Sequence, residues 1–144
     1  MSTVKNPLVV ISVFLWIGFV CSISFLEAWL KFQAPGITLS LGLGIGRLVF
    51  NALNKVEWVF AIAILLSTLI NSKELLSYNK ISFYLPLLAL ITQTIWLLPA
   101  LDARAEMHIQ NQIVPPSNLH FYYVGIEALK VTSLVLFGIS QFKK

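Results

Sequence analysis

Residues 6–26 read NPLVVISVFLWIGFVCSISFL, a run of 21 residues from Asn6 to Leu26 without a single charge. The apolar pattern continues through Leu30, long enough for a helix across a hydrocarbon layer of about 30 Å. The run is longer than the apolar core of a secretory signal, about 7–15 residues, and no small-x-small cleavage pattern follows it. It therefore reads as an uncleaved first span, Leu8–Leu30. Three more stretches repeat the signal. Asn51 to Ile70 ends in the aliphatic Phe60-Ala61-Ile62-Ala63-Ile64-Leu65-Leu66, Ile81 to Leu101 is uncharged, and Asn118 to Ser140 follows Pro115-Pro116-Ser117. The short polar turn from Asn71 to Lys80 makes the second and third spans antiparallel neighbours. Pro99 is expected to help stop the third span, and Ser117 or Asn118 to cap the fourth.

Composition agrees with this reading. Of 144 residues 58% are hydrophobic and 11% charged, against about 25% charged in soluble domains. The predicted fold is an all-α integral membrane bundle of four transmembrane helices in one domain covering residues 1–144. The lone Cys21 has no partner in the chain and reads as a small core residue. Disulfide scaffolds and disordered chains are excluded. The net charge of +4 is scattered, with no block longer than Lys143-Lys144, so no nucleic-acid partner is indicated.

Between the first two spans, Gln33-Ala34-Pro35-Gly36 makes a turn. Ile37 to Phe50 is then apolar, with Gly42, Gly44 and Gly46 inside it. The Gly42-x-x-x-Gly46 spacing lets another helix approach closely, whereas a phosphate-binding glycine loop requires a preceding strand that is missing. The segment is expected to be either a short interfacial helix or an early extension of the second span.

Orientation follows from Lys and Arg near the span ends. Lys5, Lys73, Lys80, Lys143 and Lys144 mark the termini and middle turn; Lys31, Arg47, Lys55 and Arg104 mark the other two loops. The balance favours cytoplasmic termini. Trp29, Trp58, Trp96, Tyr122 and Tyr123 near the first and third loops, with Tyr78 and Tyr84 near the middle turn, suit interfacial belts.

Charge gathers at the end opposite the termini. Glu27, Glu57, Asp102, Glu106 and Glu127 lie there with His108, His120, Arg47 and Arg104, leaving only Glu74 among the acids at the other end. The fourth span is the most telling. His120, Tyr123, Glu127 and Lys130 fall within an arc of about 80° at 100° per residue. Such a stripe must face protein or water, because a charge near the bilayer centre costs about 2.5–3.5 kcal/mol. Glu127 and Lys130 have the i, i+3 spacing of a pair, and Glu27 and Lys31 the favourable i, i+4 order. Glu57 answers Lys130 or Arg47 across helices, and Arg47 shares a face with Asn51 and Asn54.

These residues, Glu27, Arg47, Glu57, Arg104, His120, Tyr123, Glu127 and Lys130, form the candidate ligand or ion pocket. A helix-packing role for the charged stripe is the competing account. No His-Glu-x-x-His, Glu-x-x-His or Cys pair occurs, so no zinc or di-iron centre is specified and no cofactor is indicated by motif. Nor is there a nucleophile elbow. Leu15-Trp16-Ile17-Gly18, Gly46-Arg47-Leu48-Val49-Phe50, Leu97-Leu98-Pro99, Arg104 and Leu119-His120, in this order, resemble the small four-helix membrane proteins related to transmembrane protein 205, a family largely of unknown function. The resemblance implies a four-helix bundle and, for some relatives, a link to metals or metal-containing drugs; it supplies no catalytic residues.

The functional expectation is a membrane protein, not an enzyme, that binds or passes a small molecule or metal ion at the non-cytoplasmic end. One alternative is a membrane enzyme using carboxylate and histidine acid–base chemistry on a lipid-soluble substrate. Another is an accessory subunit facing a membrane-protein partner or a second copy of itself.

Overall fold

The computed structural model of the chain describes residues 3–4, 6–71 and 78–143. It is an all-helical bundle of four long helices: α1 over Pro7–Gln33, α2 over Leu39–Asn71, α3 over residues 78–109 and α4 over Leu119–Ile139. All four are long and apolar enough to cross a membrane. Helix α1 packs on α2 and α4, the first half of α3 packs on α4, and its second half packs on α2. The helices thus close a ring of four around one core. A two-residue antiparallel pairing of β1 (Thr3–Val4) with β2 (Phe142–Lys143) brings both ends of the chain together. The turn at residues 72–77, with Lys73 and Glu74, lies outside the described residues, as do Lys5 and Lys144.

Helix α1 starts where the sequence supplies a cap and a proline. The Asn6 side chain accepts from the Val9 amide at 3.4 Å, and Pro7 stands at the first turn, where its missing amide costs nothing. Asn6 also donates to Ser67 Oγ at 2.6 Å, tying the start of α1 to the last turns of α2. Val9, Val13, Trp16 and Val20 are buried at helical spacing and meet Leu53, Ala61, Ile64, Leu90, Leu134 and Phe137. Phe83 and Phe137 close the terminal end of this core with ring centroids 5.3 Å apart. The outward faces are equally apolar: Leu48, Ile70, Ile95 and Phe121 are each more than 70% exposed. A soluble bundle presents a polar outer face; these surfaces suit lipid.

The structure decides between the two readings of the glycine-rich segment. It is an extension of the second span, and no separate interfacial helix forms: α2 begins at Leu39 and runs unbroken for 33 residues. Thr38 Oγ1 accepts from the Leu41 amide at 3.3 Å and starts the helix. A Cβ at Gly42 would lie 2.1 Å from Phe32 Cε1, so a larger residue there displaces that ring. The close neighbours of the Gly42-x-x-x-Gly46 strip are therefore Phe32 and Lys31 at the end of α1, not a crossing helix backbone. Gly36, at φ +80°, makes the turn between them.

Pro99 does not stop the third span. The helix continues to Ile109 because Gln93–Leu97 adopts a wider, π-helical turn immediately before it. That turn rearranges the ladder where the proline removes a donor. A second π-helical stretch, Cys21–Glu27, interrupts α1 at the same end of the bundle. Cys21 sits there only partly buried, so it is not the fully buried core residue that its sequence setting suggests. Asn118 precedes α4 without capping it; Ser117 Oγ accepts from the Leu119 amide at 3.2 Å.

Candidate functional site

All four helices send a polar side chain to one buried point. Lys130 of α4 is fully buried and presents its ammonium to three acceptors: Glu57 Oε1 of α2, Gln93 Oε1 of α3 at 2.6 Å, and Glu127 Oε1 of its own helix at 3.3 Å. A lysine ammonium has three donors, and each finds a partner. The Trp16 indole of α1 donates to Glu57 Oε1 at 2.8 Å, and Gln93 Nε2 donates to Glu127 Oε1 at 3.0 Å. The Gln93 amide thus accepts from the lysine and donates to the glutamate. Glu57, Gln93, Glu127 and Lys130 are each no more than 1% exposed. The cluster is closed to bulk solvent and is held by its internal hydrogen bonds.

Two carboxylates face one ammonium, a formal sum of −1. Glu127 Oε2 and Ser24 Oγ are buried without a hydrogen-bond partner among the described residues. The Tyr123 hydroxyl faces both Ser24 and Glu127. Its ring meets Phe50 edge-on at 5.5 Å and 87°. Tyr123 is 4% exposed; it belongs to this interior and not to an interfacial belt.

Beyond Tyr123, towards the first and third loops, lies a cavity of about 440 Å³. Phe32, Leu43, Phe50 and Leu98 give it apolar walls, and Asn51, Asn54, Thr94 and His120 supply polar groups. Asn54 Nδ2 donates to Thr94 Oγ1 at 2.9 Å, and the Trp58 indole donates to the same oxygen at 3.0 Å. Thr94 in turn donates to the Leu90 carbonyl at 2.8 Å. This arrangement fixes the wall where the π-helical turn of α3 passes α2. At the rim, Arg47 is held by Asp102 through Nε at 2.6 Å and Nη2 at 3.0 Å, and by Glu106 through Nη1. Lys31 pairs with Glu27 at 3.1 Å and lies 5.4 Å from the Phe32 ring centre and 5.8 Å from that of Phe50.

The expected residues therefore separate into layers. Glu57, Glu127 and Lys130 form the buried cluster, and Glu57 answers Lys130, not Arg47. Tyr123 divides this cluster from the cavity, which Arg47, Lys31 and His120 border. Glu27 reaches the rim through Lys31. Arg104 turns to the third loop, where Nη2 donates to the Pro115 carbonyl at 2.5 Å. His108 is exposed near the end of α3. Among the described residues no three His, Cys, Asp or Glu side chains are grouped to hold a metal ion.

Gln93 and Trp16 escaped the sequence reading of the pocket. The available signals were a glutamine between two threonines in the middle of an otherwise apolar span, and an indole at mid-span instead of at a membrane interface. Compared with protein-family models, curated proteins and solved structures, the chain matches none.

Proposed function

We propose that this chain crosses a lipid bilayer four times and binds a small amphipathic molecule in the cavity between its first and third loops, as a carrier or receptor without catalysis. The observation that carries the reading is the cavity itself. About 440 Å³ bounded by aromatic and aliphatic walls, with a few convergent polar groups, is the composition of small-molecule sites. The exposed apolar faces of all four helices support the membrane setting. We also propose a relationship to the small four-helix membrane proteins related to transmembrane protein 205, on the motifs that resemble them. A small organic molecule is favoured over a bare metal ion because the cavity wall is predominantly apolar.

Filling the cavity tests this function. Ala105 lines it and is 8% exposed, so Ala105→Phe projects a ring into the space. Thermal unfolding of the full chain in lipid nanodiscs, against a panel of small amphipathic molecules, is expected to reveal binders. A binder at one hundred times its dissociation constant adds about 2.7 kcal/mol of stability. That gain disappears in Ala105→Phe. Equal gains in both proteins would place binding elsewhere. No gain across the panel, with Ala105→Phe more stable than the parent, would identify a packing void and defeat the reading.

A further inference from the structure

Lys130 and Lys31 are satisfied very differently. Lys130 uses all three ammonium donors on side chains from three helices. Lys31, near the end of α1, has one acceptor among the described residues, Glu27 Oε2 at 3.1 Å, although its side chain is only 10% exposed. The Phe32 and Phe50 rings lie beside the same ammonium, and Gly46 of α2 leaves room for it, since a Cβ there would lie 3.4 Å from Lys31 Nζ. Two of the three Lys31 donors therefore lack an acceptor at the wall of the cavity. Arg47, the residue after Gly46, lines the same space. Three of its five N–H groups go to Asp102 and Glu106, which leaves two. The acids at this rim are in the opposite position. Both Asp102 oxygens accept from Arg47, and the two Glu106 oxygens accept from Arg47 and from Gln110. The charged part of the cavity thus offers a ligand unused donors, while its carboxylates are already engaged.

We infer that the ligand of the cavity is an acidic amphiphile. Its oxyanion head, a carboxylate or a phosphate, accepts from the unfilled N–H groups of Lys31 and Arg47, and its apolar chain lies among Leu43, Phe50 and Leu98. This inference rests on the proposed function, because it names the class of molecule that the same cavity takes. The Lys31–Glu27 and Arg47–Asp102 pairs stay in place, since each cation has donors left for a second acceptor. Hydrogen bonds from a cation to an anion are about twice as strong as neutral ones. The head group therefore decides the affinity among chains of equal length. A cationic head meets Lys31 and Arg47 and is rejected, and a neutral hydroxyl gains only neutral-acceptor bonds.

Retention of radiolabelled laurate, dodecyl phosphate, dodecanol and dodecylamine by the full chain in phosphatidylcholine nanodiscs, corrected for empty nanodiscs, reads the head group at constant chain length. At least one oxyanion is expected to bind about tenfold more tightly than dodecanol, the scale of one hydrogen bond to a charged group. Dodecylamine is expected to bind more weakly than dodecanol. Lys31→Met removes the ammonium and keeps the stem, so it should erase most of the preference for the oxyanion, and Lys31→Arg should restore it. Excess acetate or inorganic phosphate should not displace the bound amphiphile, because neither fills the apolar wall. If Lys31→Met does not fold, the four heads compared on the parent chain still decide. Equal retention of all four, abolished by Ala105→Phe, would keep the cavity as a ligand site and overturn the acidic head. Preference for dodecylamine, no retention of either oxyanion, displacement by acetate or phosphate alone, or an unchanged preference in folded Lys31→Met would each overturn the inference. Oxyanion retention that Ala105→Phe leaves intact would overturn it together with the proposed function.

Discussion

Lys130 has a buried acceptor for each of its ammonium protons, and those acceptors come from three different helices. Such a group is strongly destabilising to half-remove, because the cost of burying charge is already met in the intact set. Lys130→Met leaves Glu57 and Glu127 facing each other without a cation and is expected to lower stability by about 3–5 kcal/mol. Glu57→Gln alone leaves the lysine its second carboxylate and costs less. The Lys130→Met/Glu57→Gln protein should recover about 0.5–3 kcal/mol relative to the sum of the single losses. Unfolding of all four proteins in one detergent system measures the cycle, and additive losses would contradict the coupling. The Glu127–Lys130 contact was legible because both residues lie on one helix at a spacing that geometry fixes. The choice of Glu57 over Arg47 as the cross-helix partner was not. Arg47 is occupied by Asp102 and Glu106, which lie 55 and 59 residues away in sequence, and nothing in local periodicity encodes such a pairing.

The helices show where periodic reasoning holds and where backbone detail intervenes. Four apolar runs of sufficient length give four helices long enough to cross a membrane, and in a hydrocarbon layer backbone groups must be satisfied within the segment. Pro99 misleads because the π-helical turn before it accommodates the missing donor, and no residue pattern announces that turn. The glycines of α2 separate two effects that the sequence presents as one motif. Gly44 has open space around its Cβ position, whereas Gly42 is filled by the Phe32 ring. Glycine within a helix is less favourable than alanine by about 0.5–1 kcal/mol. Gly44→Ala is accordingly expected to raise stability by about that amount, and Gly42→Ala to lower it by displacing Phe32 from the turn between α1 and α2. Combining Gly42→Ala with Phe32→Ala removes the clash, so the loss from the glycine change shrinks. Thermal unfolding of these three variants and of Phe32→Ala alone checks the order, and equal gains at both glycines would remove Phe32 as the reason for Gly42.

At the scale of the molecule, the chain has two unlike ends. The β1–β2 pairing puts both termini on one side, while Arg47 with its two carboxylates, Lys31 with Glu27, and the cavity occupy the other. The direction we propose across a bilayer rests on the distribution of lysine and arginine, five near the termini and middle turn against four at the opposite loops by sequence position. Three of the four on the loop side are engaged: Lys31 with Glu27, Arg47 with Asp102 and Glu106, and Arg104 with the Pro115 carbonyl. The orientation rule counts positive residues regardless of carboxylates, so these pairings explain how the charges are held without changing the count. The proposed topology therefore places the cavity on the non-cytoplasmic side. Asn111, a left-handed residue with φ 56° just after α3, gives an exposed labelling position on that side, and Ser77 stands by sequence position between the second and third spans. In a Cys21→Ser background, Asn111→Cys in intact cells should react with a membrane-impermeant thiol reagent, while Ser77→Cys reacts only after the membrane is opened. The reverse pattern would turn the molecule over and put the cavity in the cytoplasm. Labelling of both positions in intact cells would mean that the middle turn and the third loop share a side, and would refute a third span between them.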